Sequence, residues 1–320
     1  MAVVDQQAEV ARGQLGGPSL ARRFRWFNSS RLLITPALIF AVLVTQAPFV
    51  LTLYYSTLRW NLLRPETKGF VGLENYRRIL FDDDVFRTAI LNTLVFTVGV
   101  VTASMLLGLF YAELVNHRFP GRGIVRTMLI TPFLVMPVVT ALSWKYTMFD
   151  PDFGIIDWVL REVQPGNSDW NPVWLSHYPK ESIIIMLVWR WAPFMMLILL
   201  AGMQSIDEEV REAARVDGAT ALQEFFGITL PHLYRYMQLG ALLGTVYIVQ
   251  EFDAIFMTTQ GGPGTATMNL SFMVYRRAIA GSNVGYGAAL GVVIVALTIV
   301  AMTLILRVLD RMMRGAYEER

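Results

Sequence analysis

The sequence predicts an all-α membrane protein built from six transmembrane helices, and three observations carry that expectation. Of its 320 residues, 54% are hydrophobic and only 16% are charged, with a mean hydropathy of +0.45. That balance is too apolar and too charge-poor for an ordinary soluble chain. Six apolar runs each approach the length of about 20 residues that a helix needs to cross a bilayer. Between the fourth and fifth runs lies the longest charge-rich segment of the second half, Ser205 to Pro231, reading SIDEEVREAARVDGATALQEFFGITLP.

The same composition excludes several functions. A net charge of +2 without an aromatic-interleaved basic patch gives no case for nucleic acid. With no cysteine there is no disulfide, iron–sulfur cluster or thiolate zinc site, and His117, His177 and His232 are too scattered for a metal site. The three lysines, Lys68, Lys145 and Lys180, precede Gly69, Tyr146 and Glu181, so none completes a GxxxxGK[ST] phosphate loop. No G-x-S-x-G or H-E-x-x-H motif is present. The chain reads as no enzyme, and any ATP that drives it is expected on a separate polypeptide.

In chain order, residues 1–31 form a polar tail whose Arg22, Arg23, Arg25 and Arg31 flank Trp26 and Phe27, an interfacial pattern that faces the cytoplasm. The run that follows, Leu32 to about Leu58, is longer than the apolar core of a signal peptide and has no small-residue cleavage site, so it is expected as span one. The others are placed at 88–114, 124–149, 182–204, 236–259 and 286–309, making a transmembrane domain of 32–310 and a C-terminal tail of 311–320. Pro36, Pro48, Pro132, Pro137 and Pro193 fall inside spans, where neighbouring helices satisfy the freed carbonyls. With both termini inside, fifteen Lys and Arg lie on the cytoplasmic side against ten outside. Gly285, Gly287 and Gly291 in span six read as close helix packing.

The segment 205–231 reads as helix, turn, helix. Ser205 with Glu208 is a capping-box pattern, and Asp207, Glu208 and Glu209 crowd the positive end of the helix dipole. Ile206, Val210, Ala213 and Ala214 share a face, and Gly218 provides a left-handed exit. Thr220 with Gln223 caps a second short helix with Leu222, Phe225 and Phe226 on its apolar face, stopped by Gly227 and Pro231.

Glu212-Ala213-Ala214, then Gly218, then Ile228-x-Leu230-Pro231, placed between two spans, resembles the EAA loop of membrane subunits of binding-protein-dependent ABC importers. GLENY in residues 59–87 and QGGPG after span five resemble the carbohydrate-type, maltose-transporter-like members in their six-span form. The resemblance implies the type I importer transmembrane fold, in the bacterial cytoplasmic membrane with both termini cytoplasmic. It makes 205–231 a coupling helix that seats in a cytoplasmic ATPase, through Glu212, Ala213, Ala214, Asp217, Gly218, Ile228, Leu230 and Pro231. It implies two ATP-binding cassette subunits that carry ATP and magnesium, a second homologous permease subunit in a heterodimer, and an external solute-binding protein. No cofactor is implied on this chain.

Polar residues inside the bilayer are costly and by default mark a pathway. Span five carries Tyr247, Gln250, Glu251 and Asp253; span four carries Trp189 and Arg190; Asn269 lies in the outer loop and Asn92 in span two. Tyr247, Gln250 and Asp253 at spacings of three fit one face. Amides and acids beside aromatic rings suit a sugar or sugar alcohol, whose hydroxyls donate and accept while ring C–H faces stack. Alternatively, Glu251 and Asp253 pair with Lys145 or Arg190. Two other functions compete: the same architecture carrying glycerol phosphate, and an ion-coupled carrier or channel that uses Glu251 and Asp253.

Overall fold

The first long helix, α1 (Ser29–Ser56), is continuous through Pro36 and Pro48. Between residues 34 and 54 it holds no charged side chain, which suits a segment that must satisfy its backbone internally in lipid. The computed structural model describes residues 29–117, 119–163 and 172–318. Residues 1–28 of the expected N-terminal tail lie outside the described residues, as do Arg118, 164–171 and the last two positions. The chain divides after Tyr54 into two units, and the second, from Tyr55 onward, holds the remaining elements.

That second unit opens with a two-stranded hairpin, β1 (Leu58–Arg59) paired antiparallel with β2 (Gly69–Phe70). The buried Asn75 side chain of α2 (Glu74–Arg77) donates to the carbonyls of Ser56 and Leu58 at 2.8 and 2.9 Å. Helix α3 (Asp84–Asn116) is capped by Asp83, whose carboxylate accepts from the Val85 N–H at 3.0 Å. After it come α4 (Arg122–Leu134) and α5 (Pro137–Ser143), the latter ending in a π-helical turn, Trp144–Met148.

Span three was expected as one helix, yet α4 and α5 meet at 97°. Pro137 forces the bend: its ring disfavours helical geometry at the preceding residue, and Met136 and Val135 are extended with ψ of 138° and 136°. Short α6 (Ile155–Val163) and α7 (Trp174–His177) then lead to α8 (Pro179–Gln204), which stays helical through Pro193.

The hairpin helices are α9 (Glu208–Val216) and α10 (Ala221–Glu224), and α10 runs through a π-helical turn, Phe225–Thr229, into α11 (Leu230–Val249). Gly227 and Pro231 therefore do not stop the second helix as expected. Pro231 sits in the first turn of α11, where a missing N–H costs little, and the wider π turn takes up the mismatch. The chain continues through α12 (Asp253–Met257), α13 (Leu270–Tyr275) with a further π turn, and α14 (Val284–Glu318). The expected C-terminal tail from residue 311 is thus helical as far as Glu318.

Among the described residues, four helices are long and apolar enough to cross a membrane: 34–56, α3, α8 and 284–304. The bent pair would make a fifth. Helix α11 carries His232 and Arg235 and ends at Val249, ten residues before the expected end of span five, so length and composition alone do not give a count of six.

Helix α3 lies along α8, and α11 packs against both. The approach is close because glycines face methionines: a Cβ on Gly108 would come within 2.6 Å of Met195 Cβ, and one on Gly244 within 2.6 Å of Met195 Cε. Buried Met105, Met195, Met196 and Met203 fill the irregular space between them. In α14, Gly285 is pressed against the backbone of Leu58 in β1 and Gly287 against Ala278 of the preceding π turn, not against another span as expected, and a Cβ on Gly291 would meet nothing within 4 Å.

Candidate functional site: a capped hairpin and a buried polar lattice

The hairpin is held by its own chemistry. Gly218 leaves α9 with φ of +83°, the left-handed geometry of a C-terminal cap. The N–H of Ala219 then reaches back to the carbonyl of Ala214 at 2.9 Å. At α10 the capping box is complete: Thr220 Oγ1 accepts from the Gln223 N–H at 3.4 Å, and Gln223 Oε1 accepts from the Thr220 N–H at 2.8 Å. Ser205 does not cap α9. That position falls to Asp207, without a side-chain bond. Ser205 instead ends α8, and its hydroxyl lies 2.8 Å from the Gly202 carbonyl and 2.9 Å from both His232 Nε2 and Tyr236 Oη.

A three-residue ion cluster, unforeseen in the sequence, ties the two hairpin helices together. Glu224 of α10, largely sheltered, meets Arg211 Nε at 3.9 Å and Arg215 Nε at 3.4 Å, and Arg211 also donates to the Met203 carbonyl at the end of α8 at 3.1 Å. A cavity of about 440 Å³ at the base is lined by Ser205, Asp207, His232, Arg235 and Tyr236, among others.

The outward surface of the hairpin is different in kind. Glu212, Ala213, Asp217, Gly218 and Pro231 are exposed, while Ala214, Ile228 and Leu230 are half-buried. Val216, Leu222 and Phe226 expose 87%, 70% and 60% of their surface. Glu212 makes no hydrogen bond or ion pair among the described residues. An exposed acid beside three unburied large apolar side chains is a surface available to another protein.

Beyond Val249, α11 breaks and a buried lattice takes over. Gln250 turns back, its amide donating to the Val246 carbonyl at 3.0 Å. Glu251 is buried; Oε2 lies 3.5 Å from Arg190 NH1 and Oε1 accepts from the Ala254 N–H at 3.1 Å. Asn269 donates to the Glu251 carbonyl at 2.5 Å and caps α13 by accepting from the Phe272 N–H at 2.9 Å. Asn92 of α3 donates to the carbonyls of Thr265 and Met268 at 3.0 and 2.9 Å, fastening the loop after QGGPG.

Of the alternatives for the acids, Glu251 thus pairs with Arg190. Lys145 pairs with neither, since its ammonium donates to the carbonyls of Met257 and Thr258 at 3.5 and 3.3 Å. Asn269 has both amide atoms committed to the fold.

Tyr247, Gln250 and Asp253 do not form a single helical face, because the break falls between Gln250 and Asp253. Tyr247 and Gln250 are exposed, and Asp253 is half-buried in the first turn of α12. The Tyr247 ring lies 5.2 Å from Trp191, which also meets Phe133 at 5.7 Å; Trp189 lies 5.7 Å from Trp144. Phe133 was not singled out, because nothing in its local sequence sets it apart from the other rings in the spans, and Trp191 was noted only as a flank of Arg190.

Residues 88–315 match the family described as the binding-protein-dependent transport system inner membrane component. The chain belongs to this family. The permease is 32% identical over 270 residues to the trehalose/maltose transport system permease protein MalF of Thermococcus litoralis, covering 84% of this chain and 90% of that one. It is 31% identical over 297 residues to the sulfoquinovosyl glycerol transport system permease protein SmoG of Agrobacterium fabrum, covering 91% and 94%. Its fold resembles a chain in the crystal structure of a bacterial alginate ABC transporter in complex with an alginate pentasaccharide-bound periplasmic protein. The TM-score is 0.76 at 20% identity, covering 92% of this chain and 98% of that one. The permease is therefore an inner-membrane transport subunit with the type I importer fold.

Proposed function

We propose that this permease is the transmembrane subunit of an ATP-driven importer that passes a sugar or sugar alcohol from an external binding protein into the cytoplasm. The observation that carries the reading is the capped hairpin, which holds an exposed Glu212, unpaired among the described residues, and an exposed apolar surface. With no phosphate-loop lysine in the chain, the motor is a pair of separate ATP-binding cassette subunits that hold ATP and magnesium. They grip the hairpin through Glu212, Ala213, Ala214, Asp217, Gly218, Ile228, Leu230 and Pro231. Closure of the motor moves the hairpin as a lever, and the Arg211–Glu224–Arg215 cluster keeps it from flexing.

In this reading the hairpin and both termini face the cytoplasm, and a second, homologous permease subunit completes the pore. The solute class is supported by the sugar-transport relatives and by Tyr247, Trp189 and Arg190, which meet aromatic rings, together with the exposed Gln250 and half-buried Asp253. Asn269 and Glu251 shape the path from behind.

The test is uptake by the complete transporter in proteoliposomes, with trehalose, maltose, a polyol and glycerol phosphate as labelled solutes. Glu212→Ala should abolish ATP-dependent uptake with the complex still in the membrane, and Gln250→Ala or Asp253→Ala should change solute-stimulated ATP hydrolysis. Uptake that survives loss of the ATPase subunits but collapses with an uncoupler would establish an ion-coupled carrier instead. Uptake of glycerol phosphate alone would refute the sugar assignment.

A further inference from the structure

Helix α6 leaves large apolar side chains uncovered. Ile155, Trp158 and Val159 point outward with 46%, 67% and 43% of their surfaces exposed, and Phe153 just before the helix is 86% exposed. Of its two acids, Asp157 points inward, 3% exposed and accepting from the Trp174 indole N–H at 2.6 Å, while Glu162 near the C-terminal end is exposed. A helix bathed in water on that side would keep such side chains against the core. A contiguous apolar patch left open to water is a liability that soluble surfaces avoid, so something permanent covers this one.

Position identifies the cover. Six residues separate the start of helix α6 from the last turn of the bent pair, which ends at Met148, and the connection is tight. Asp150 accepts from the N–H groups of Asp152 and Phe153 through its side chain at 2.9 and 3.0 Å, and from Gly154 through its carbonyl at 2.9 Å. On the other side, α7 leads directly into α8, a membrane-spanning helix. The 26 residues of α8 separate this end from the hairpin by about 39 Å at 1.5 Å per residue. The patch is thus tied to the ends of two spans on the membrane face opposite the hairpin. Tyr178, 40% exposed at the start of α8, adds an aromatic of the kind that collects at headgroup level. A binding protein that comes and goes would leave Phe153 and Trp158 wet for part of each cycle, whereas lipid is always there; a permanent contact with the second permease subunit is the competing outcome that the experiment below separates.

We infer that α6 lies flat in the bilayer interface opposite the hairpin, with Phe153, Ile155, Trp158 and Val159 buried among phospholipid acyl chains, as an anchor for the bent span before it. The inference needs only that the chain spans a membrane and is independent of the solute.

Because the chain has no cysteine, Phe153→Cys and Trp158→Cys can each take a nitroxide label in the assembled transporter, reconstituted in phosphatidylcholine nanodiscs with cysteine-free partners. A label at Glu66, exposed in the turn between β1 and β2, serves as the aqueous control. At 153 and 158, collisions with oxygen should rise and collisions with a water-soluble nickel chelate should fall relative to that control, with or without binding protein. Nickel collisions equal to the control would show a water-facing surface, and exclusion of both reagents would show a protein contact. Either result at both sites overturns the assignment.

Discussion

Ser205 Oγ at the end of α8 and Tyr236 Oη in α11 lie 2.9 Å apart, joining the two helices on either side of the hairpin. The direction of this bond is fixed by counting protons. The serine hydroxyl has one hydrogen, which it donates to the Gly202 carbonyl at 2.8 Å. It must then accept from both Tyr236 and His232, so His232 carries its proton on Nε2. Tyr236→Phe should cost about 1 kcal/mol, read as a lower Tm in detergent. The looser base should also lower the amount of solute carried per ATP hydrolysed. An unchanged ratio would remove this bond from the lever.

Gly218 tests whether hairpin geometry or side-chain chemistry matters at the turn. A Cβ there would meet nothing within 4 Å, so Gly218→Ala pays only the left-handed backbone cost, about 1–2 kcal/mol. Gly218→Asn should pay less, since asparagine tolerates that geometry. Uptake should therefore rank wild type, Asn, Ala. Equal uptake in all three would show that the turn is not under conformational control.

The Arg190–Glu251 pair should behave as a buried ion pair. Removal of either partner alone leaves a stranded charge, at a cost of about 3 kcal/mol, whereas replacement of both with apolar residues of similar size should recover most of the loss. Thermal unfolding of Arg190→Met, Glu251→Leu and the double variant decides the matter. Additive losses in the double variant would mean that the 3.5 Å approach carries no coupling.

Asn92 holds the loop at residues 265–268 through two donors of a single amide. Asn92→Leu leaves two carbonyls without that partner, a loss of about 1–3 kcal/mol. Limited proteolysis should show faster cleavage between Gln260 and Asn269, with little change at the hairpin.

The capped hairpin was legible because its determinants are local. The Thr220–Gln223 capping box and the left-handed exit at Gly218 depend on residues within a turn of one another, and both formed as read. Ser205 was misassigned for the converse reason. Ser205 and Glu208 satisfy the spacing of a capping box, but the hydroxyl finds His232 and Tyr236, some 30 residues onward, and no local pattern reports that competition. The pathway residues divide in the same way. Glu251 and Asp253 stood out as acids in an apolar run, but which of them had a partner depended on where α8 passes.

Hydropathy, charge and short-range capping were fixed by the sequence itself: a helical membrane subunit with a polar hairpin between two of its spans. Tertiary packing decided the rest. It ended α11 at Val249, paired Glu251 with Arg190, and turned the apolar face of α6 outward. The reason is one of range. Backbone propensity and dipole effects act within a few residues, whereas the partner of a buried charge or amide is set by which distant helix comes within about 3 Å of it.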